Sequence, residues 1–207
     1  MRAAERPSCM TTKRRVSTGL LVAVAATAVA HAEPDPRFMR MWQAAQRLRP
    51  ATLATETRIA PESEPGTPLV VRGLVLDVAG HPAPGIEVFA YHTDAAGRYA
   101  APGAEDPWRL KGWAVTDARG RFEFHTIRPG AYPGRTVPAH IHVTTASACC
   151  GHQLTDLMFD DDPLATPAYR DHFAAAGEHG LYGAVRTRAD GGQEVTYTIR
   201  LRPRGDF

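Results

Sequence analysis

Cysteine is scarce, charge is nearly balanced and apolar runs are short, and each shortage excludes a class of protein. Three cysteines in 207 residues cannot frame a disulfide-built domain. Cys9 lies close to the start. Cys149 and Cys150 are neighbours, too close for ordinary disulfide geometry with each other, so they read as small buried hydrophobes. Lys and Arg number 24 against 22 Asp and Glu, which leaves no basic surplus for a nucleic-acid surface. The apolar run Gly19 to Ala30 has 12 residues, whereas a membrane-spanning helix needs about 20. With 43% apolar and 22% charged residues, the composition also excludes disordered, fibrous and coiled-coil chains.

What is present starts with the N-terminus. Residues 1–32 hold five basic side chains (Arg2, Arg6, Lys13, Arg14, Arg15) and one acid, Glu5. The remainder carries 19 basic and 21 acidic residues, so the chain without this segment is slightly acidic. A basic start, an apolar run and Ala30-His31-Ala32 in that order read as a cleaved signal peptide. The expectation is a mature chain from Glu33, periplasmic or secreted, with no membrane span. Arg14-Arg15 leaves the twin-arginine route open beside the general one.

Residues 33–67 read as a short helix followed by an extended arm. Phe38, Met41, Trp42, Ala45 and Leu48 recur at helical spacing and Pro50 ends the run. Residues 51–67, rich in Thr, Glu and Pro, show no periodicity. From 68 to 207 the pattern is short strands, at 69–76, 86–92, 113–116, 121–127, 139–145 and 194–202, punctuated by Gly and Pro. One short helix fits between Pro163 and Gly177. The expected class is all-β, an antiparallel β-sandwich with a short N-terminal helix and long loops.

An internal echo stands out. Thr93 to Tyr99 and Thr116 to Phe122 share the frame T-D-A-x-G-R-aromatic, 23 residues apart. Asp opening and Gly closing a turn is hairpin chemistry, which places the aromatic second in the following strand. Phe122 shows that packing alone accepts Phe there. The phenol of Tyr99 therefore invites a reason beyond packing.

Thr126 to Thr145 is the richest stretch. On a strand, His140 and His142 share one face while Ile141 and Val143 take the other. Two imidazoles so placed make a natural pair of metal ligands, but a lone H-x-H on its own favours a solvated or hydrogen-bonded pair. Tyr132 lies eight residues upstream, across Pro133-Gly134, and would fold back on the same place.

These residues resemble the intradiol ring-cleavage dioxygenases, the family of catechol and protocatechuate dioxygenases. The likeness runs from about Leu69 to Pro163. It covers Gly73–Gly85, D-A-A-G-R-Y at 94–99, G-W-A-V-T-D-A-R-G-R-F at 112–122, T-I-R-P-G-A-Y-P at 126–133 and P-A-H-I-H at 138–142. The resemblance implies one ferric ion per chain, held by Tyr99, Tyr132, His140 and His142. It implies a catechol-type substrate opened with O2 to a muconate-type diacid, with Tyr132 leaving the iron to act as base. Family members carry Arg directly before P-A-H-I-H; here that position is Val137, and Arg135 is the substitute candidate for stabilising ring charge. Asp156 falls where the family has Gln, which disfavours a substrate carboxylate.

The competing reading is a non-catalytic exported β-sandwich that binds a ligand, and a homo-oligomer fits either. His81, His92, His125, His152, His172 and His179 read as solvated side chains in turns, loops and strand ends. Asp160-Asp161-Asp162 reads as a solvated turn, and Trp108 and Trp113 as core.

Overall fold

Alternation in the sequence becomes alternation in burial. Over 195–200, Val195, Tyr197 and Ile199 are buried while Thr196, Thr198 and Arg200 are exposed. The computed structural model describes residues 35–100, 106, 108–175 and 179–207; the signal-like segment 1–32 lies outside them. Chain order is α1 (Pro36–Gln46), β1 (Glu56–Arg58), β2 (Pro68–Leu76), β3 (Glu87–His92), β4 (Leu110–Val115) and β5 (Arg121–Ile127). Then follow β6 (His140–Ser147), β7 (Gly151–Phe159), α2 (Pro167–Ala175), β8 (Gly180–Gly183), β9 (Arg186–Thr187) and β10 (Gln193–Arg200).

Two five-stranded sheets result, ordered β1-β5-β2-β10-β9 and β4-β3-β6-β7-β8. They share one core, with Val71, Phe124 and Val195 from the first meeting Val88, Ile141 and Leu157 from the second. The mostly-β layered fold stands, but the sheets are mixed rather than antiparallel. β1 runs parallel to β5, β2 to β10 and β7 to β8. Hydropathy reports which face of a strand is covered and is silent about the direction of its neighbour.

The expected arm supplies β1, which pairs Glu56 to Arg58 with Glu123 to His125. Asp35 caps α1 by accepting the Arg37 N–H, and Pro36 sits in the first turn, where its missing N–H costs nothing. Phe38, Met41 and Trp42 of α1 pack on Phe89, Tyr91, Trp108 and Trp113, an aromatic layer outside the second sheet. Trp108 and Trp113 are thus buried, as read.

Two side-chain readings need correction. Cys149 and Cys150 are bonded to each other, with Cys149 exposed and Cys150 buried. They lie in the turn between β6 and β7, and a turn does not force neighbouring side chains to opposite faces as a strand does. His92 is fully buried rather than solvated; its Nδ1 donates to the Thr93 carbonyl at 2.7 Å and its Nε2 meets the Thr126 hydroxyl at 2.6 Å. The acidic triplet is a turn with Asp160 and Asp161 exposed, as read, and it is also tied down: Asp161 pairs with Arg128 at 2.7 Å, and Asp162 accepts the N–H groups of Ala139 and Leu164.

Candidate metal centre

Tyr99 and Tyr132 reach one place because their turns interlock. In the first turn Asp94 Oδ1 accepts the N–H groups of Ala96 and Arg98, and Gly97 takes a φ of +77°. The second copy repeats this with Asp117, Arg119, Arg121 and Gly120 at +73°. The copies then diverge. Phe122 lies on β5 as expected and packs over Gly73, whereas Tyr99 falls in a bend beyond its turn and not on a strand. Its loop is stitched to the Tyr132 loop: the Gly130 N–H donates to the Asp94 carbonyl at 2.9 Å and the Thr93 hydroxyl to the Gly130 carbonyl at 2.7 Å.

β6 supplies the imidazoles. Ile141 and Val143 enter the core, while His140 and His142 face the outer side, as their spacing predicts. His140 Nδ1 lies 2.7 Å from the Pro138 carbonyl, and His142 Nδ1 lies 2.6 Å from Asp156 Oδ1. Carbonyls and carboxylates only accept, so each Nδ1 carries a hydrogen and each Nε2 is the nitrogen turned into the site. Those two Nε2 atoms are 3.0 Å apart. Tyr132 Oη is 3.1 Å from the first and 3.2 Å from the second, and Tyr99 Oη is 2.8 Å from the second. The two phenol oxygens touch each other.

The sequence-derived set of Tyr99, Tyr132, His140 and His142 is therefore brought together by the fold. Two facing lone pairs repel unless a cation or proton lies between them. Donors bonded at about 2.1 Å to one transition metal stand roughly 3 Å from their neighbours, which is the spacing observed. Burial pushes both phenols up, Tyr99 far more, and the facing phenols and Asp156 raise Tyr99 further. Burial and the adjacent His142 push His140 down. The protein alone therefore holds both phenols in their neutral form, and a bound cation reverses that balance by favouring phenolate.

Arg135 is exposed, in the loop after Tyr132, where its backbone N–H donates to the Tyr132 carbonyl at 3.1 Å. Its charge opposes the rise of the Tyr132 phenol. Val137 is half-buried. Sequence reasoning gave Asp156 no part in holding His142; its place opposite His142, across β6 and β7, follows only from strand register. Tyr91 was likewise missed, and its ring stacks on His142 at 4.7 Å and on Trp108 at 3.8 Å. A second cluster, with His125 Nε2 2.9 Å from Glu56 and 2.8 Å from Glu123, ties β1 to β5 on the outer face of the other sheet.

Among families, the model Dioxygenase_C, described as dioxygenase, matches residues 45–203. The β chain of protocatechuate 3,4-dioxygenase from Burkholderia cepacia is 39% identical over 111 residues, 48% of this chain and 47% of the relative. Chlorocatechol 1,2-dioxygenase from Rhodococcus opacus is 31% identical over 134 residues, 56% of this chain and 50% of the relative. The chain thus spans about half the length of these curated relatives. The solved dioxygenase domain of a dioxygenase–carbohydrate-binding fusion from Streptomyces sp. SirexAA-E is 30% identical, with a TM-score of 0.56, covering 73% of this chain and 90% of that one.

Proposed function

Because the chain belongs to the intradiol ring-cleavage dioxygenase family, we propose that it opens a catechol-type ring with O2, using one ferric ion per chain. The observation that carries this is the convergence of Tyr99, Tyr132, His140 and His142, donor atom to donor atom, at 2.8–3.2 Å. A bound ferric ion would supply a Lewis acid that keeps the phenols ionised and draws electron density from the substrate for attack by O2. Two phenolates and two imidazoles suit that hard ion.

The protein's own groups then have separate tasks. His140 and His142, locked by Pro138 and Asp156, present fixed lone pairs. Tyr132 Oη takes a proton from a catechol hydroxyl as the substrate enters. Tyr99, its ring among Tyr91, Tyr132 and His142, stays in place. Arg135 adds positive charge on the Tyr132 side, where the opening ring accumulates negative charge. The bond between the two hydroxyl-bearing carbons breaks, both atoms of O2 enter the product, and catechol becomes a muconate-type diacid of the same hydrogen count.

The test is mass analysis of products made by the iron-loaded protein under labelled O2. Incorporation of both oxygen atoms into a diacid is expected. If catechol, hydroxyquinol and protocatechuate all go unconsumed, the binding-module reading takes over. Export with cleavage after Ala32 is part of the proposal, motivated by the segment 1–32. N-terminal sequencing of the exported protein should begin at Glu33, and an intact Met1 refutes it.

A further inference from the structure

His142 and Asp156 are register partners across β6 and β7, and Asp156 Oδ1 accepts the His142 Nδ1 hydrogen at 2.6 Å. On the far side of β6, Tyr91 is also in register with His142 and stacks on its ring. The imidazole is therefore held from both flanks, by a face on one side and a carboxylate on the other. Resting on the reading of the four donors as an iron site, we infer that Asp156 is a positioning residue whose charge reaches the metal centre through His142. That charge turns the site toward catechols without a ring carboxylate.

The hydrogen bond alone does not require an acid. The amide oxygen of Asn or Gln accepts the same N–H and would orient the ring equally well. What the carboxylate adds is a full negative charge. Among the described residues, no Arg or Lys lies within ion-pair distance of Asp156, so only the His142 imidazole stands between its charge and the site. A carboxylate behind a metal-binding imidazole makes that nitrogen a stronger donor, and an iron so supplied draws less from its other ligands. A second anion on the substrate ring then meets an uncompensated like charge.

The experiment uses the full-length iron-loaded protein and Asp156→Asn, Asp156→Gln, Asp156→Ala and Asp156→Glu. The amide variants keep the acceptor and remove the charge. Both should release iron to a chelator at least tenfold more readily, as second-layer changes at metal sites do. Their tyrosinate absorption should move to longer wavelength, because the iron has become more electron-poor. Their kcat/KM for protocatechuate relative to catechol should rise by about tenfold, the smaller end of what one like charge does to an ionisation. Asp156→Glu, which keeps the charge, should restore the wild-type band. If wild type shows the iron band and the amide variants match it in band, chelation and substrate ratio, the inference is wrong. The same holds if only Asp156→Ala differs, since the hydrogen bond alone would then suffice. A wild-type protein that takes up no iron and shows no band would instead refute the metal-site reading beneath it.

Discussion

Gly97 stands so close to Ala131 that a β-carbon built on it would lie 2.0 Å from the Ala131 carbonyl oxygen. The obstacle is backbone, which cannot swing aside as a side-chain tip can, and it belongs to the residue preceding Tyr132. The φ of +77° adds a left-handed conformation that L side chains resist. Gly97→Ala should therefore lose more than about 2 kcal/mol in urea unfolding and shed iron, by strain and by parting the tyrosine loops. Gly134→Ala has a φ of +68° but nothing within 4 Å, so it should lose only about 1 kcal/mol and keep iron. Equal losses at the two positions would mean that the loops are not interlocked in this way.

Tyr99 and Tyr132 should respond differently to losing their hydroxyls. The sequence reading assigned Tyr99 to a strand, whereas the structure holds it by its ring, within the layer of Phe89, Tyr91, Trp108 and Trp113. Tyr132 is followed by exposed Pro133 and Gly134 and has room to move. Tyr132→Phe should keep part of the iron yet deprotonate bound catechol more slowly in stopped-flow absorption. Tyr99→Phe should change the colour of the resting protein more than it changes catechol deprotonation.

Arg135→Ala should lower turnover far more than iron content. Arg135 shares the loop of Tyr132, with its backbone N–H bonded to the Tyr132 carbonyl, and its charge is felt at the phenol. Removing a preorganised charge typically costs about 3–4 kcal/mol, a few hundredfold in rate. Because Arg135 is exposed, screening should hold the effect to the lower part of that range. A silent Arg135→Ala together with a faster Val137→Arg would locate the missing charge at Val137 instead.

Acid should weaken the fold through His92. Burial drives its pKa down to about 4, against an ordinary value near 6.5. Between those values the unfolded chain binds a proton that the folded chain refuses. Stability therefore falls as pH drops from about 6.5 to 4 and is flat with respect to this group above and below. The loss is about 3 kcal/mol. Urea midpoints of wild type and His92→Gln should diverge least at pH 4 and most at pH 7, with the variant nearly free of this slope.

Much of the site was legible because its chemistry is local in sequence. Alternation put His140 and His142 on one face, and the two T-D-A-x-G-R frames marked turns that the structure builds in the same way. What escaped was set by distant partners. β7 is invisible to hydropathy because Gln153 and Thr155 are among its buried residues, and a polar buried face removes the alternating signal. Gln153 is tolerated there because its amide accepts the Arg202 N–H and donates to the Arg202 carbonyl, a pairing 49 residues away. His92 escaped for the same reason, its hydroxyl partner Thr126 lying on another strand. Asp156 was visible as an unusual residue, but its target, His142, appears only once β6 and β7 are in register.

The place of β10 in its sheet has a consequence for how the chain acquires its structure. β10 lies between β2 and β9, with Gln193 beside Leu69, a separation of 124 residues along the chain. Until β10 arrives, one long edge of β2 is unpaired and the apolar face later covered by Val195, Tyr197 and Ile199 is open. Loop closure over such a distance must precede the contacts that reward it, so assembly of this sheet is slow and late. During that interval the chain is sticky, and anything that shields the bare β2 edge would raise the yield of folded protein without touching its final stability.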